Sequence, residues 1–572
     1  MEPTRQGSKG PRSRALRRYG PIAAVVVIVV AVIAVVGRDG GGKSDSGRAP
    51  KAAATGDALI RSGPMTPAKA KLLGRTVDFG PGCDTETGRV KVPAVYAPPC
   101  VEPFTGDNGG ATAPGVTADT IEVVAYLMPP ELDALQTALL SKTGADLGVK
   151  GLRETYERYT EYFGEHFETY GRKVNLRFYT ATGSPSDAAK AKADALAIAG
   201  MDPKPFAVLG GPTQAPEFSD QLAAEKILCL GGCSLATPER FSAERQPYLW
   251  GNGPSPEQGA RLAAEMIGKL FRGRAEHAGD PAFRTRERVY GVLHLDSPDG
   301  RQRALFETLR DDLARRGVKL TTDVEYFLDI PRAQENARTA ISKLKAAGVT
   351  TVIFYGDPLM PIYFTKEATA QGYFPEWIIG PTVYVDTTVF GRQYDQRQWA
   401  HAFGMSEPAA RLAPDQGEAY RVYKWQFGTE PPSNLYAMVY SDPEILFTGI
   451  HLAGPKLTPE TFRDGLFRYP VTGGGPTTPL LSRGRHGIWP GVDLFGSDDI
   501  TVIWWDPDAT GPNEMGEEGR GMYRYADRGR RYRWGRIPDR IPGLFDPATS
   551  VTVFAEPPPG SAPPDYPPPD RG

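Results

Sequence analysis

Two short polar loops, each closing an apolar run, carry the residues whose types and spacing suggest chemistry. Phe206 to Leu209 runs into Gly210-Gly211-Pro212-Thr213-Gln214, and Ile227 to Leu230 runs into Gly231-Gly232-Cys233-Ser234-Leu235-Ala236-Thr237. Hydroxyls, an amide and glycine-rich backbone at such places offer oriented O–H and N–H donors, which hold a small anion or polar group without a full countercharge. That is binding chemistry. Groups for bond breaking do not stand out: the chain has no G-x-S-x-G elbow and no identifiable nucleophile beside a base, so an extracellular hydrolase is disfavoured and no enzyme is expected. His166, His277, His294, His401, His451 and His486 are scattered, without His/Cys pairs at ligand spacing, so neither a metal nor another cofactor is expected.

The elements that must position these loops read as strand, helix, strand. Between the two apolar runs, Pro216 to Lys226 places Phe218, Leu222 and Ala223 at helical spacing, which makes a βαβ unit with parallel strands. Upstream lie a strand at Thr120 to Leu127, an aromatic-striped helix at Gly148 to Tyr170, a strand at Lys173 to Tyr179 and a helix at Ser186 to Ile198. After Trp250 the plan repeats. Helices over 255–271, 300–316, 333–347 and 360–371 alternate with strands over 289–295, 322–328, 351–355 and 376–379, and Trp399 to Ser406 reads as a last strand. The fold class is therefore α/β: two lobes of parallel sheet flanked by helices, with a hinge and a cleft between them. Ligands of such sheets sit beyond the carboxyl ends of the strands. There the second lobe offers Asp296-Ser297-Pro298-Asp299, Gly356-Asp357-Pro358 and Gly380-Pro381-Thr382-Val383-Tyr384, and the first adds Met128-Pro129-Pro130-Glu131.

The segment Pro21 to Gly37 is apolar and uncharged, long enough for the shortest membrane span, and follows Arg5, Lys9, Arg12, Arg14, Arg17 and Arg18. A single-pass anchor with a cytoplasmic N-terminus and an extracytoplasmic body is expected, a cleaved signal peptide being the competing reading. The organisation is then a basic N-terminus (1–20), an anchor (21–37), a flexible tether (38–57), a lead-in (58–116), a first lobe (117–248 and 407–465), a second lobe (249–406), an extension with a β-hairpin (466–555) and a Pro-rich disordered tail (556–572). Cys83 and Cys100 flank a turn-rich stretch and are expected to staple the lead-in, while Cys229 and Cys233 form either a second disulfide or two buried thiols. With 66 basic against 68 acidic residues, net charge −2, no global field favours nucleic acid. The cluster Arg530, Arg531, Tyr532, Arg533, Trp534 reads as part of the hairpin packed on the body.

Residues 117–465 resemble the type I periplasmic binding proteins, specifically the branched-chain amino acid (Leu/Ile/Val) receptors of ABC transporters. GGPTQ, CSLATPER, PSPEQGARLAAEMI, VYGVLHLDSPDG and AISKLKAAGVTTVIFYGDP are similar to that family's motifs in order and position. The resemblance implies capture of a small polar ligand, amino-acid-like or another small anion, and its presentation to an ABC permease, or else a sensor or scaffold with the same fold. It implicates Thr213, Gln214, Ser234, Ala236 and Thr237 in the first lobe, and Asp299, Asp357, Thr382 and Tyr384 in the second. The sequence departs from the family pattern at Met128-Pro129-Pro130-Glu131, Gly251-Asn252 and Ser441-Asp442-Pro443.

Overall fold

The computed structural model describes residues 57–129, 149–234, 237–296, 300–382, 384–433 and 435–569. The expected anchor at 21–37 lies outside the described residues; among these, no helix is long and apolar enough to cross a membrane.

The lead-in begins with two short helices, Asp57–Ser62 and Pro67–Leu73, followed by a hairpin of two-residue strands, β1 (Cys83–Asp84) and β2 (Arg89–Val90). The Cys83–Cys100 disulfide closes it, with Cα atoms 5.7 Å apart. The first sheet comprises β3 (Thr120–Leu127), β4 (Lys173–Thr180), β5 (Ala207–Leu209), β6 (Leu228–Leu230) and β7 (Leu249–Trp250), all parallel, in the order β4-β3-β5-β6-β7. β3 shows why its sequence is an unbroken apolar run. Ile121, Val123 and Ala125 pack with Tyr156, Tyr159 and Phe163 of the helix Val149–His166, while Val124 and Tyr126 pack on the opposite face with Ala191 and Leu222. A strand covered by helices on both faces has no polar face to show.

The second sheet repeats the plan. β8 (Tyr290–Asp296), β9 (Leu320–Phe327), β10 (Thr351–Tyr355), β11 (Glu376–Ile379) and β12 (Ala402–Ser406) are parallel in the order β9-β8-β10-β11-β12. Three further strands then join by antiparallel pairing: β13 (Asp499–Pro512) on β12, and both β14 (Glu518–Tyr525) and β15 (Arg531–Arg533) on β13. The expected C-terminal hairpin forms, as β13 with β14, but it extends the second lobe's sheet rather than packing on the body from outside. The reason is visible in DITVIWW: Ile503 and Trp505 enter one core, and Ile500, Val502 and Trp504 enter the other. A run buried on both faces belongs inside a sheet.

The chain passes between the lobes three times, at 251–255, 407–417 and 469–498. Between the second and third passages, the helices Glu418–Phe427, Tyr436–Ala453 and Pro459–Arg468 return to the first lobe, where Phe447, Phe462 and Leu466 share a core with Phe163 and Trp250. The passages are laced together. Gly251 N donates to Leu494 O (3.4 Å), Gly496 N to Gly253 O (2.9 Å) and Ala410 N to Pro476 O (3.0 Å). The lead-in straps this region, with Tyr96 Oη donating to Pro479 O and Val95 N to the Glu418 carboxylate. The Pro-rich tail, expected to be disordered, is docked as far as it is described: Tyr566 Oη donates to Asp84 Oδ2 (2.6 Å) and Trp425 Nε1 to Tyr566 O (3.0 Å).

Gly496 lies at the tightest point of this lacing, because a Cβ there would stand 1.7 Å from Asn252 O. Gly496→Ala must separate the first and third passages, and is expected to cost about 1–3 kcal/mol of stability, the usual range for overpacking. Urea unfolding of the two proteins checks it; equal midpoints would show that the passages part freely.

Candidate functional site

The carboxyl ends of both sheets are where the polar loops were expected to act. In the first lobe Thr213 and Gln214 are exposed in the turn that leads into the helix Pro216–Ala224, with Gln214 N donating to Pro185 O (3.2 Å). The Cys229–Cys233 disulfide forms, tying the centre of β6 to the 3₁₀ turn Gly232–Ser234 that follows it. Ser234 ends that turn. Ala236 lies outside the described residues, and Thr237 is buried at 2 % exposure.

In the second lobe Asp299 lies outside the described residues. Asp357 is buried and its carboxylate is engaged within the fold: Leu359 N and Met360 N donate to Oδ1 at 2.8 and 3.0 Å, and Tyr326 Oη donates to Oδ2 at 2.7 Å. From two residues ahead of the N-cap position Leu359, it takes the backbone N–H groups that lead into the helix Met360–Ala370, a cap-like role. Burial raises its pKa, and those three donors oppose the rise. Thr382 is half-buried. Tyr384 is exposed, with a left-handed backbone (φ 62°) in a turn where its carbonyl accepts from Thr387 N and Thr387 Oγ1. Four predicted residues, Thr213, Gln214, Thr382 and Tyr384, therefore retain surface at the sheet ends, while Thr237 and Asp357 lie inside.

A group of carboxylates went unread in the sequence. Glu239 begins the first-lobe helix Glu239–Glu244, and its carboxylate accepts from Arg261 Nη1 and Nη2 (2.6 and 3.1 Å) and from Ser255 Oγ (2.9 Å). Arg261 and Ser255 belong to the second-lobe helix Pro256–Leu270 and its N-cap. Glu239 N in turn donates to Glu257 Oε1 and Oε2, both at 3.1 Å. Burial and the Glu239 charge push the Glu257 carboxyl upward, against the hydrogen bonds and Arg261. The lobes are thus pinned beside the first passage by one charge-assisted network.

Glu407, the residue after β12, stands next to it. Its half-buried carboxyl lies against the backbone of Gly259, where a Cβ would come within 2.6 Å of Glu407 Oε1 and 3.0 Å of Pro381 Cβ. Loss of hydration and the nearby Asp386 charge push its pKa up to about 8, with Arg531 pulling the other way. Asp386 accepts from Ser406 Oγ at 2.6 Å and is pushed up to about 6 by burial. Tyr355, at the end of β10, is raised by burial and by the charges of Glu407 and Glu257. Glu257 and Glu407 both lie near enough to act on Tyr355, and Asp386 on Glu407, so these acids make an acidic corner beside the hinge. The strand-end rule that selected the other loops also selects Glu407, but β12 was read only as closing its lobe. Among the described residues, no group of three or more His, Cys, Asp or Glu is placed to hold a metal ion.

Two departures noted in the sequence meet in space. Asn252 Nδ2 donates to Asp442 Oδ1 (3.0 Å) and Tyr156 Oη to Asp442 Oδ2 (3.1 Å), beneath Gly231 and Gly210 at the ends of β6 and β5. Burial pushes Asp442 up to about 7, against its hydrogen bonds. A Cβ on Gly231 would overlap Asp442 Oδ1 at 1.8 Å, so the glycine is required by this contact as well as by its φ of 79°.

The family model for periplasmic binding proteins matches residues 139–489, more than half of the chain. No curated protein sequence matches it. Among solved structures, the chain is similar to an ABC transporter substrate-binding protein of Aeropyrum pernix (16 % identity, covering 70 % of this chain and 94 % of that one, TM-score 0.47). It is also similar to a solute-binding protein of an R. palustris ABC transporter in complex with 4-hydroxybenzoate (13 % identity, 71 % and 97 % covered, TM-score 0.47). A type 1 periplasmic binding protein of Bordetella pertussis Tohama I gives 13 % identity, 68 % and 96 % coverage and a TM-score of 0.44.

The two readings of Asp357, cap or ligand contact, separate by experiment. As a cap whose loss also strands the Tyr326 hydroxyl, Asp357→Ala is expected to cost about 1–3 kcal/mol in urea unfolding. Ligand affinity of the folded variant should stay within about twofold of the parent, less than half a kcal/mol. Unchanged stability with lost affinity would return Asp357 to the binding surface.

Proposed function

Because the chain belongs to the periplasmic binding protein family, we propose that it is an extracytoplasmic solute receptor, closing on a small polar ligand and presenting it to an ABC permease. The N-terminal segment 21–37 holds it to the membrane in this reading, with residues 1–20 in the cytoplasm. The observation that carries the proposal is architectural: two sheets of identical strand order direct their carboxyl ends to either side of a hinge of three laced passages. Hinge closure over a ligand is the motion such an arrangement supports. Mechanistically, backbone N–H groups and the polar side chains at Thr213, Gln214, Thr382 and Tyr384 take one end of the ligand. Glu407 and Glu257 take a cationic end, so an amino-acid-like molecule with a protonated amine fits better than a simple anion. A second reading, a ligand sensor without transport, is favoured by the cover on the hinge, where Phe554 bridges to Leu412 and Tyr96 bonds Pro479.

The ligand end at Glu407 sets a pH dependence with a definite sign. Below its pKa of about 8 the carboxyl is neutral and meets an ammonium group only as a dipole; above it the carboxylate is a full countercharge. Affinity for an amine-bearing ligand is therefore expected to rise between about pH 6 and about pH 9 while the ligand amine stays protonated, and Glu407→Gln should flatten that rise. A thermal-shift screen of the full-length chain against amino acids, amides, sugars and organic acids identifies the ligand. At a hundredfold excess over Kd it stabilises the fold by about 2.7 kcal/mol. The proposal of an amine-bearing ligand falls if no amine in the panel raises the midpoint, or if parent and Glu407→Gln share the same pH profile.

A further inference from the structure

A cavity of about 510 Å³ opens on the second lobe, between the loop 471–480 of the third passage and the chain from Asp527 to Pro542. Five arginines belong to its wall, and they are not equivalent. Arg531 is buried: its guanidinium donates to Asp499 Oδ1 (2.7 Å) and to the carbonyls of Glu407 and Pro408 (2.6 and 2.7 Å), so its charge is answered inside the fold. Arg530, Arg533, Arg536 and Arg540 form no ion pair among the described residues. Of the two acids on the wall, Asp499 is paired with Arg531, while Asp527 accepts from the neutral Tyr532 hydroxyl at 2.6 Å and keeps its charge, which leaves four arginines against one carboxylate.

The backbone that carries these side chains is fixed. β15 is paired to β13, Gly535 N donates to Glu265 Oε2 and Lys269 Nζ to Ile537 O, both at 2.6 Å, so Arg536 projects from between two pinned residues. Arg536 N donates to Arg533 O and Asp527 N to Pro542 O, which close the two ends of the segment. A protein of net charge −2 that gathers four guanidiniums without an ion pair, Arg530 over the Tyr532 ring, against the single carboxylate of Asp527 on a concave wall offers an electrostatic sink for anions. The volume falls in the ordinary range for small-ligand sites, about 300–1,000 Å³.

We propose that this cavity binds a phosphate-type oxyanion carrying two or more negative charges, clamped by the guanidinium forks of Arg533, Arg536 and Arg540. Guanidinium presents planar, bidentate donors that match phosphate geometry, where an ammonium is only a point charge. The same chemistry comes from a free oligophosphate or from a phosphate headgroup on an anionic lipid. Since Arg531 in the floor holds the carbonyls of the second passage and the loop 471–480 forms the facing rim, an occupant braces two of the three passages from outside the cleft.

The test is calorimetric titration of the full-length chain with inorganic tripolyphosphate at low ionic strength, beside a triple variant Arg533→Gln, Arg536→Gln, Arg540→Gln that leaves Arg531 in place. One tripolyphosphate is expected per chain, with affinity falling at least tenfold in the variant and the unfolding midpoint without ligand unchanged. If the variant unfolds more easily, the single Arg540→Gln, at an exposed position, should still lose affinity severalfold. Repeating the titration of parent and variant in phosphatidylcholine and in phosphatidylglycerol nanodiscs then separates the sources. Tripolyphosphate affinity that falls in phosphatidylglycerol for the parent and not for the variant names a headgroup; the same affinity of the parent in both lipids names a soluble phosphate. No heat on titration, or equal affinity of parent and variant, overturns the site.

Discussion

Three passages of chain between the lobes must bury peptide groups that no sheet or helix can satisfy, and they satisfy them on one another. The Gly251–Leu494, Gly496–Gly253 and Ala410–Pro476 hydrogen bonds replace the ladder each passage lacks. Side chains complete the set. Asp493 Oδ1 accepts from Gln258 Nε2 and Phe495 N, Asp498 accepts from Ser482 Oγ and Trp489 Nε1, and Arg483 Nη2 donates to Gly251 O. Burial raises both carboxyls, and Asp498 beside Asp493 raises it further, while Arg483 supplies the opposite charge. Removing one member would leave a buried charge uncompensated, which is why such a layer specifies one geometry more than it adds net stability.

The position of the acidic corner follows from that geometry. Glu407 directly follows β12, the last parallel strand of the second lobe, and is the first residue of a passage, so lacing the passages carries its carboxyl against Gly259 at the foot of the cleft. Glu257 and Glu239 are placed the same way by the first passage, whose N-cap Ser255 bonds Glu239. Residues at a hinge change neighbours when the lobes move, whereas Thr213, Gln214, Thr382 and Tyr384 ride on one lobe each. In the proposed reading, lobe closure and recognition share the same carboxylates.

How much of this the sequence disclosed depends on whether the signal was local. The strands and helices of both lobes appear close to their expected bounds because period and punctuation are local, and Cys83–Cys100 and Cys229–Cys233 pair as a staple and a short-range bridge. DITVIWW was misplaced because its apolarity says only that both faces are buried, not which sheet buries them; the register Phe403↔Trp504 spans a hundred residues. Asp357 shows the opposite limit. A carboxylate two and three residues ahead of its helix N–H donors is a cap and a ligand contact in the same letters, and only Tyr326, arriving from β9, separates them. Asn252 and Asp442 looked like two independent departures, yet they are one hydrogen bond.

Composition hid one property outright. A chain of 66 basic and 68 acidic residues reads as featureless, but opposite charges need not mix. Here they are sorted about the second passage: the Glu407 carboxyl stands with Glu257 and Asp386 on the cleft side, and the Glu407 carbonyl is gripped by Arg531, the floor of the arginine wall. A single residue thus faces the acidic corner with its side chain and the basic cavity with its backbone. Arg531 also lowers the cost of ionising Glu407, against the burial that raises it. An anion held on the arginine wall would offset the field of Arg531 and make Glu407 harder to ionise, which would couple the two charged regions across one peptide unit.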